Sequence, residues 1–207
     1  MSAGSLPRRF AYISTSGIYG DCAGARVAET RVPAPATARA RRRVAAEARL
    51  RRWGRAGAGL ATRVSILRAP GIYSESRLPL DRLREGKPAL LRDEDVYTNH
   101  IHAADLARAA VSALFFGLPQ RAYNISDDGE MKMGDYFDLV ADRLHVQRPP
   151  RVALADAQKS LSPMLLSFMR ESRRLVNARA KKELRWRPVF ATPAAMFEAM
   201  AGAATDG

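Results

Sequence analysis

The sequence predicts an α/β fold with a mainly parallel, doubly wound sheet and a small α/β lobe at its C-terminal end. Three observations predict it. Short β-branched or aromatic runs alternate with helical patterns over the first 150 residues, the rhythm of layered α/β proteins. Three strand-like runs end in hydroxyl, Gly or Pro residues, "STSGIYG", "RAPGIY" and "TNHIHAAD", and ligands of open α/β sheets lie beyond the carboxyl ends of strands. Past Pro149-Pro150 the pattern changes to shorter, less regular elements, which places an expected boundary between 1–150, with interleaved segments of the lobe, and 151–207.

The elements follow in order. Residues 9–14 read as a short buried strand, bounded by Pro7-Arg8-Arg9 and by Gly17. Residues 21–35 read as loop, punctuated by Gly24, Pro33 and Pro35. Residues 36–53 have strong helical propensity, with Ala40, Val44 and Ala48 as a thin stripe suited to close packing and the arginines facing solvent. Gly54, Gly57 and Gly59 are expected to break that helix. A strand at Val64–Leu67 stops at Pro70-Gly71; a short helix is expected at 79–86 and a strand at 96–102. A helix over 103–116 has Leu106, Ala110, Ala113 and Leu114 on one face. A strand at 121–126 precedes a helix at 133–145 with Met133, Phe137, Val140 and Leu144 in register. The lobe is expected to hold a Met- and Leu-rich helix near 161–171, a strand at 173–176, a helix at 178–184 and a last helix after Pro193.

The chain has 207 residues, enough for one domain or one and a half. No apolar run approaches the ~18 residues that span a bilayer, so no membrane partner is expected and a soluble cytoplasmic protein is. "FAYI" is too short for the core of a signal peptide. Cys22 is the only cysteine, which leaves no disulfide framework or thiolate metal site. Net charge is +13, with 29 arginines against 5 lysines. Eight arginines fall between Arg39 and Arg55, with Glu47 the only acid among them. Coding bias towards Arg and Ala explains this without function; a polyanion partner is the sharper reading. No helix-turn-helix, zinc-finger or RNA-recognition signature accompanies the cluster, so nucleic acid is not an expected partner.

At the three strand ends, Thr15 is the first candidate for binding a reacting oxygen, against the alternative that it bonds its own backbone. Tyr19 could line a substrate pocket or pack over the turn. His102 at a strand end reads as structural or substrate-contacting, and Asp105 as a first-turn acid favoured by the helix dipole, worth ~0.3–1 kcal/mol. His100 and His102 are expected on opposite faces, which would keep them from sharing a metal, and nothing else offers metal-ligand spacing. Cys22 has no nearby His and is a weak nucleophile candidate.

In this order, "YISTSGIYGD", "AETRVPAPAT", Val44 to Glu47, Arg68 to Tyr73, "HIHAADLA", Tyr123-Asn124-Ile125 and "NARAKKELRWRP" resemble the extended short-chain dehydrogenase/reductases, the NAD-dependent epimerases and dehydratases. The resemblance covers nearly the whole chain. It implies a partial Rossmann-like sheet made of that fold's C-terminal strands, with "STSGIYG" ending about the fifth strand. It implies NAD or NADP as cofactor and a nucleotide-linked or similar polar small molecule as substrate. It assigns Thr15 to the catalytic hydroxyl position, Ser14, Ala69 and Pro70 to the cofactor, and Tyr19, Gly71, Ile72, Asn99 and His102 to the substrate.

Two departures qualify that expectation. No G-x-G-x-x-G occurs, and Gly57-Ala58-Gly59 follows a helix and lacks the third glycine, so the turn that would cradle the pyrophosphate is not found. The chain alone is therefore expected to bind dinucleotide weakly or not at all. The family's Tyr-x-x-x-Lys falls on Arg39 and Arg43. Arg39 stays protonated and cannot transfer a proton, while Arg43 retains a positive charge at the Lys position. An atypical branch of the family also lacks the pair, and "ARARRRVAAE" resembles it. The alternatives are a non-catalytic remnant acting through a partner or its own copy as a homodimer, its first strand leaving an unpaired edge, and a polyanion binder acting through the Arg39–Arg55 helix.

Overall fold

The computed structural model describes residues 7–56 and 62–205. The chain opens with β1 (Arg9–Thr15), a 3-10 turn (Ser16–Tyr19), β2 (Arg26–Val27) and α1 (Ala38–Arg55). Next come β3 (Arg63–Ala69), β4 (Gly71–Tyr73), α2 (Leu80–Arg84), β5 (Ala89–Leu90), β6 (Tyr97–Thr98), β7 (His100–His102) and α3 (Ala103–Phe116). Then follow β8 (Arg121–Asn124), β9 (Met131–Lys132), α4 (Met133–Arg143), β10 (Arg151–Val152), α5 (Leu154–Ser160) and α6 (Pro163–Phe168). The last elements are β11 (Arg174–Leu175), α7 (Ala178–Glu183) and α8 (Pro193–Thr205).

The centre is a parallel sheet in the order β1-β3-β8, in which Ile13 lies opposite Leu67 and Thr15 opposite Ala69. β3 is the middle strand and is buried on both faces, apolar but for Ser65 and Arg68 after its first residue, as suits a doubly covered parallel strand. Val64 and Ile66 meet Phe10, Tyr12, Leu50 and Trp53 on the α1 side. Leu67 and Ala69 meet Leu106, Ala109 and Ala113 of α3, with Tyr123 and Trp186, on the other. One helix covers each face of the sheet, which is the doubly wound arrangement the sequence predicts.

Thr37 starts α1: its hydroxyl accepts the Ala40 N–H, and a cap of this kind stabilises a helix by ~1 kcal/mol. Gly54 does not end the helix; it lies inside α1 and is buried. A Cβ there would come within 2.8 Å of the Thr62 carbonyl oxygen and Val64, so glycine lets the last turn of α1 approach β3. Gly57 and Gly59 lie outside the described residues. Gly20 ends the 3-10 turn at a φ of 65°, and a Cβ would sit 2.2 Å from the Ala34 carbonyl oxygen, which requires glycine on both counts.

Several boundaries differ from expectation. The 21–35 segment is not all loop, because β2 pairs with β11. The strand expected at 96–102 is interrupted at Asn99: β6 runs antiparallel to β9, and β7 parallel to β4. The inward face of α3 is Asp105, Leu106, Ala109 and Ala113, leaving Leu114 exposed. The helix expected near 161–171 is the shorter α6, and a helix that was not expected, α5, precedes it. Residues past 150 are tied back to earlier ones. β10 pairs with β5, and Trp186 packs into the α3 side of the central core.

Candidate functional site

A cleft of about 210 Å³ opens at the carboxyl ends of β1 and β3. Thr15, Ser16 and Gly17 form one wall and Pro70 and Gly71 another. The first turn of α1, with Arg39, faces it, while Thr98 and Asn99 come from the far side and Phe168 with Arg173 from the lobe. A more apolar cavity of about 360 Å³ adjoins it, sharing Gly71, Thr98, Met133 and Phe168 and lined further by Ile72, Tyr136 and Phe137.

Beneath the β1 and β3 ends lies a buried polar network. The Ser14 hydroxyl donates to Glu47 Oε1 at 2.6 Å. Arg68 donates from Nη2 to Glu47 Oε2 at 2.8 Å and from Nε to Oε1 at 3.3 Å. Its Nη1 donates to the Tyr19 hydroxyl at 2.7 Å, which donates to Asn124 Oδ1 at 2.8 Å. Asn124 in turn donates its backbone N–H to Glu29 and its side-chain amide to the Val27 carbonyl. Glu47 is 1% exposed and Arg68 3%. A pair so deeply buried is tolerated only when each charge is matched and its remaining lone pairs and protons are bonded. The network locks β1, β3, β8 and α1 together and so fixes the cleft floor.

The candidates divide accordingly. Thr15, Pro70, Gly71 and Asn99 all line the cleft, and Ile72 lines the adjoining cavity. Ala69, opposite Thr15, is buried just below. Thr15 Oγ1 accepts the Gly17 N–H at 3.1 Å, the local bond that caps the 3-10 turn. Asn99 uses its side chain to accept from Leu175 N–H and donate to the Arg173 carbonyl. Ser14 is turned down to Glu47. Tyr19 is fully buried, so of its two readings the packed one matches the geometry. Burial pushes its hydroxyl above the usual tyrosine range, although Arg68 beside it opposes this.

His102 caps α3 through Nδ1, which accepts the Ala104 N–H, and its ring packs on Phe190 and Tyr73. It does not line the cleft. His100 and His102 were expected on opposite faces, but two residues apart on a strand they share one, and both rings meet Tyr73 edge on. Burial drops His100 to about 3, so it is neutral. Arg43 points to the outer surface, where it donates to the Tyr12 hydroxyl and lies over its ring. Arg39, not Arg43, reaches the cleft. Asp105 does more than sit in a first turn: its carboxylate accepts the Val189 and Phe190 N–H groups, and its carbonyl accepts from Trp186 Nε1. Cys22 is buried, and burial pushes its thiol up, away from thiolate character.

Sequence reading missed Arg173, Phe168 and Met133 as lining residues, and Glu47, Arg68 and Asn124 as the floor. The available signal was Glu47, the one acid in an arginine-rich helix and one turn beyond Val44 on the inward stripe. Among the described residues no group of three His, Cys, Asp or Glu could hold a metal ion, and no helix is long and apolar enough to cross a membrane.

A profile of the NAD dependent epimerase/dehydratase family matches residues 2–126. Among solved structures, a functionally unknown conserved protein from Silicibacter pomeroyi is 29% identical, with a TM-score of 0.80 over 95% of this chain and 67% of that one. The human epimerase family protein SDR39U1, solved with NADPH, is 15% identical, with a TM-score of 0.77 over 97% of this chain and 68% of that one. UDP-glucose 4-epimerase from Thermotoga maritima, solved with UDP-glucose, is 18% identical, with a TM-score of 0.70 over 95% of this chain and 64% of that one. The chain thus spans about two-thirds of the length of each. A search of curated proteins returns no match.

Proposed function

The chain belongs to the NAD dependent epimerase/dehydratase family, and on that premise we propose that it forms the substrate-side portion of an NAD(P)-dependent protein acting on a small polar molecule. The observation that carries this reading is the convergence of Thr15 and Pro70, from the ends of adjacent parallel strands, on one cleft. In an open α/β sheet that is where ligand and cofactor meet.

The residues present fit one end of the cofactor and not the other. Pro70 and Gly71, above the buried Ala69, form a wall at the β3 end against which a nicotinamide would lie, with Thr15 of the β1 end as the other wall. No glycine-rich strand-turn-helix in this sequence would cradle the pyrophosphate. When bound, NAD(P) supplies hydride transfer. The side chains of this chain bind and orient: Thr15 presents a hydroxyl whose oxygen is already fixed by Gly17 N–H, so its proton is free to donate to a substrate oxygen. Arg39 lies where the family's proton-transferring tyrosine stands and cannot exchange a proton near neutral pH. Activity of this chain alone is accordingly weak or absent. The adjoining apolar cavity, walled by Ile72 and Phe137, would take a less polar part of the substrate.

Amide-resolved NMR titration with NADH tests the reading. At millimolar NADH the amides of Ser14–Gly17, Ala69 and Gly71 are expected to shift, while 5′-AMP leaves them in place. NADH shifts elsewhere, or none at these residues, would overturn it.

A further inference from the structure

Among the described residues that line the lobe-side half of the cleft, positive charge exceeds negative. Arg39 projects from the first turn of α1 into the cleft. Its guanidinium stacks on the Phe168 ring, 5.3 Å from the centroid, and makes no hydrogen bond or ion pair among the described residues. Arg173, across the cleft, is by contrast already committed: it donates to the Gly20 carbonyl at 2.7 Å and to Glu171 at 2.8 Å. Glu171 is the only carboxylate among the described lining residues, so its charge cancels that of Arg173 and leaves the charge of Arg39 uncompensated.

Two neutral donors flank the same space. The Thr15 and Thr37 oxygens each accept a backbone N–H, from Gly17 and Ala40, and neither hydroxyl proton has an acceptor among the described residues. Both residues line the cleft. A guanidinium held by ring stacking, with its N–H edge free, is pre-organised for bidentate recognition of an oxyanion. Stacking also limits the side-chain freedom that binding would otherwise remove. A lysine there would offer a point charge and no such fork.

We infer that this cleft recognises an oxyanion, carboxylate or phosphate, on its small-molecule substrate, with Arg39 as the residue that grips it and the Thr15 and Thr37 hydroxyls completing the contact. The inference rests on the reading of the cleft as a substrate site and adds the chemical class of the substrate. It makes Arg39 a specificity-determining residue at the position that resembles the family's acid–base tyrosine. A substrate so held would carry its negative group on the α1 side and its less polar part toward Ile72 and Phe137.

Malonate and inorganic phosphate are the probes, titrated separately while the amides of Ser16, Gly17, Arg39 and Ala40 and the Arg39 Nε–H are followed by NMR. At least one anion is expected to move these signals at millimolar concentration, and which one does so names the source. Arg39→Gln is expected to weaken that binding at least tenfold. Arg39→Lys is expected to weaken it less, and it serves if the Gln variant does not fold. Arg42→Gln, on the solvent face of the same helix, is expected to leave it unchanged. Equal binding by Arg39→Gln and the original protein, equal loss on Arg42→Gln, or silence of the cleft signals with both anions would overturn the inference. NADH is titrated into Arg39→Gln in parallel. Shifts at Ala69 and Gly71 that survive while anion binding fails to depend on Arg39 would sink the anion assignment alone. No NADH response at Ala69 and Gly71 in the original protein, with Arg39-dependent anion binding intact, would sink the cofactor reading alone.

Discussion

Asp127 and His100 are adjacent in space: the Asp127 N–H donates to the His100 carbonyl at 2.8 Å. Both are buried, and burial moves each towards its neutral form. Asp127 is raised from 3.8 to about 8, mainly by desolvation, with the Gly129 N–H opposing and the Asp128 and Asp105 charges adding to it. Its Oδ2 has no hydrogen-bond partner among the described residues, so no donor there favours the ionised form. The folded chain therefore binds a proton at this site that the unfolded chain releases near pH 4. The stability this contributes is complete below that pH and is lost as pH rises through about 8, on the order of 1 kcal/mol per pH unit. Asp127→Asn is expected to remove this part of the slope. Urea unfolding at pH 5, 6, 7 and 8 should show the original protein losing stability relative to the variant at each step; a constant difference would contradict the assignment. None of this was legible in the sequence, because nothing in "SDDG" signals the burial of its first aspartate. Thr15, Pro70 and Gly71 were legible, because hydroxyl, Pro and Gly residues at strand ends have few roles other than turn or rim. Tyr19 had two possible roles, because the partners that decide between them, Arg68 and Asn124, lie 49 and 105 residues away.

At the level of elements, long periodic segments were readable and short ones were not. β1, β3, α1 and α3 show their nature in propensity and in one apolar face. β2, β5, β10 and β11 are two-residue strands created by pairing with segments far along the chain, so no local pattern encodes them. α1 was read as an arginine-bearing helix docked by small residues, and its anchor turned out to be an acid. Glu47 joins α1 to Ser14 on β1 and to Arg68 on β3. Glu47→Gln would keep the shape and leave Arg68 buried with its charge unmatched, which costs ~3–5 kcal/mol. Glu47→Leu combined with Arg68→Met should lose less than Glu47→Gln alone, because both charges then leave the interior. Chemical unfolding reads both; a loss under ~1 kcal/mol for the single change would mean that the pair does not hold the helix to the sheet. The outer edge of β1 has no strand partner among the described residues. Ile13 is 43% exposed there and Phe115 of α3 65%, an apolar surface of the kind that favours association.

For the whole molecule, the parallel sheet covered on both faces and the position of the cleft at its carboxyl ends followed from general α/β rules. The particular pairings of the C-terminal segment did not, because β10, β11 and Trp186 return to elements laid down far earlier. In the proposed function the rim at Thr15 and Pro70 faces the nicotinamide end of a dinucleotide, and the sequence holds no G-x-G-x-x-G to cradle its phosphates. Saturation-transfer NMR on NADH in the presence of the protein reads this directly. Transfer is expected to be strongest at the nicotinamide ring protons and weakest at the adenine. Adenine protons receiving the strongest transfer would contradict it.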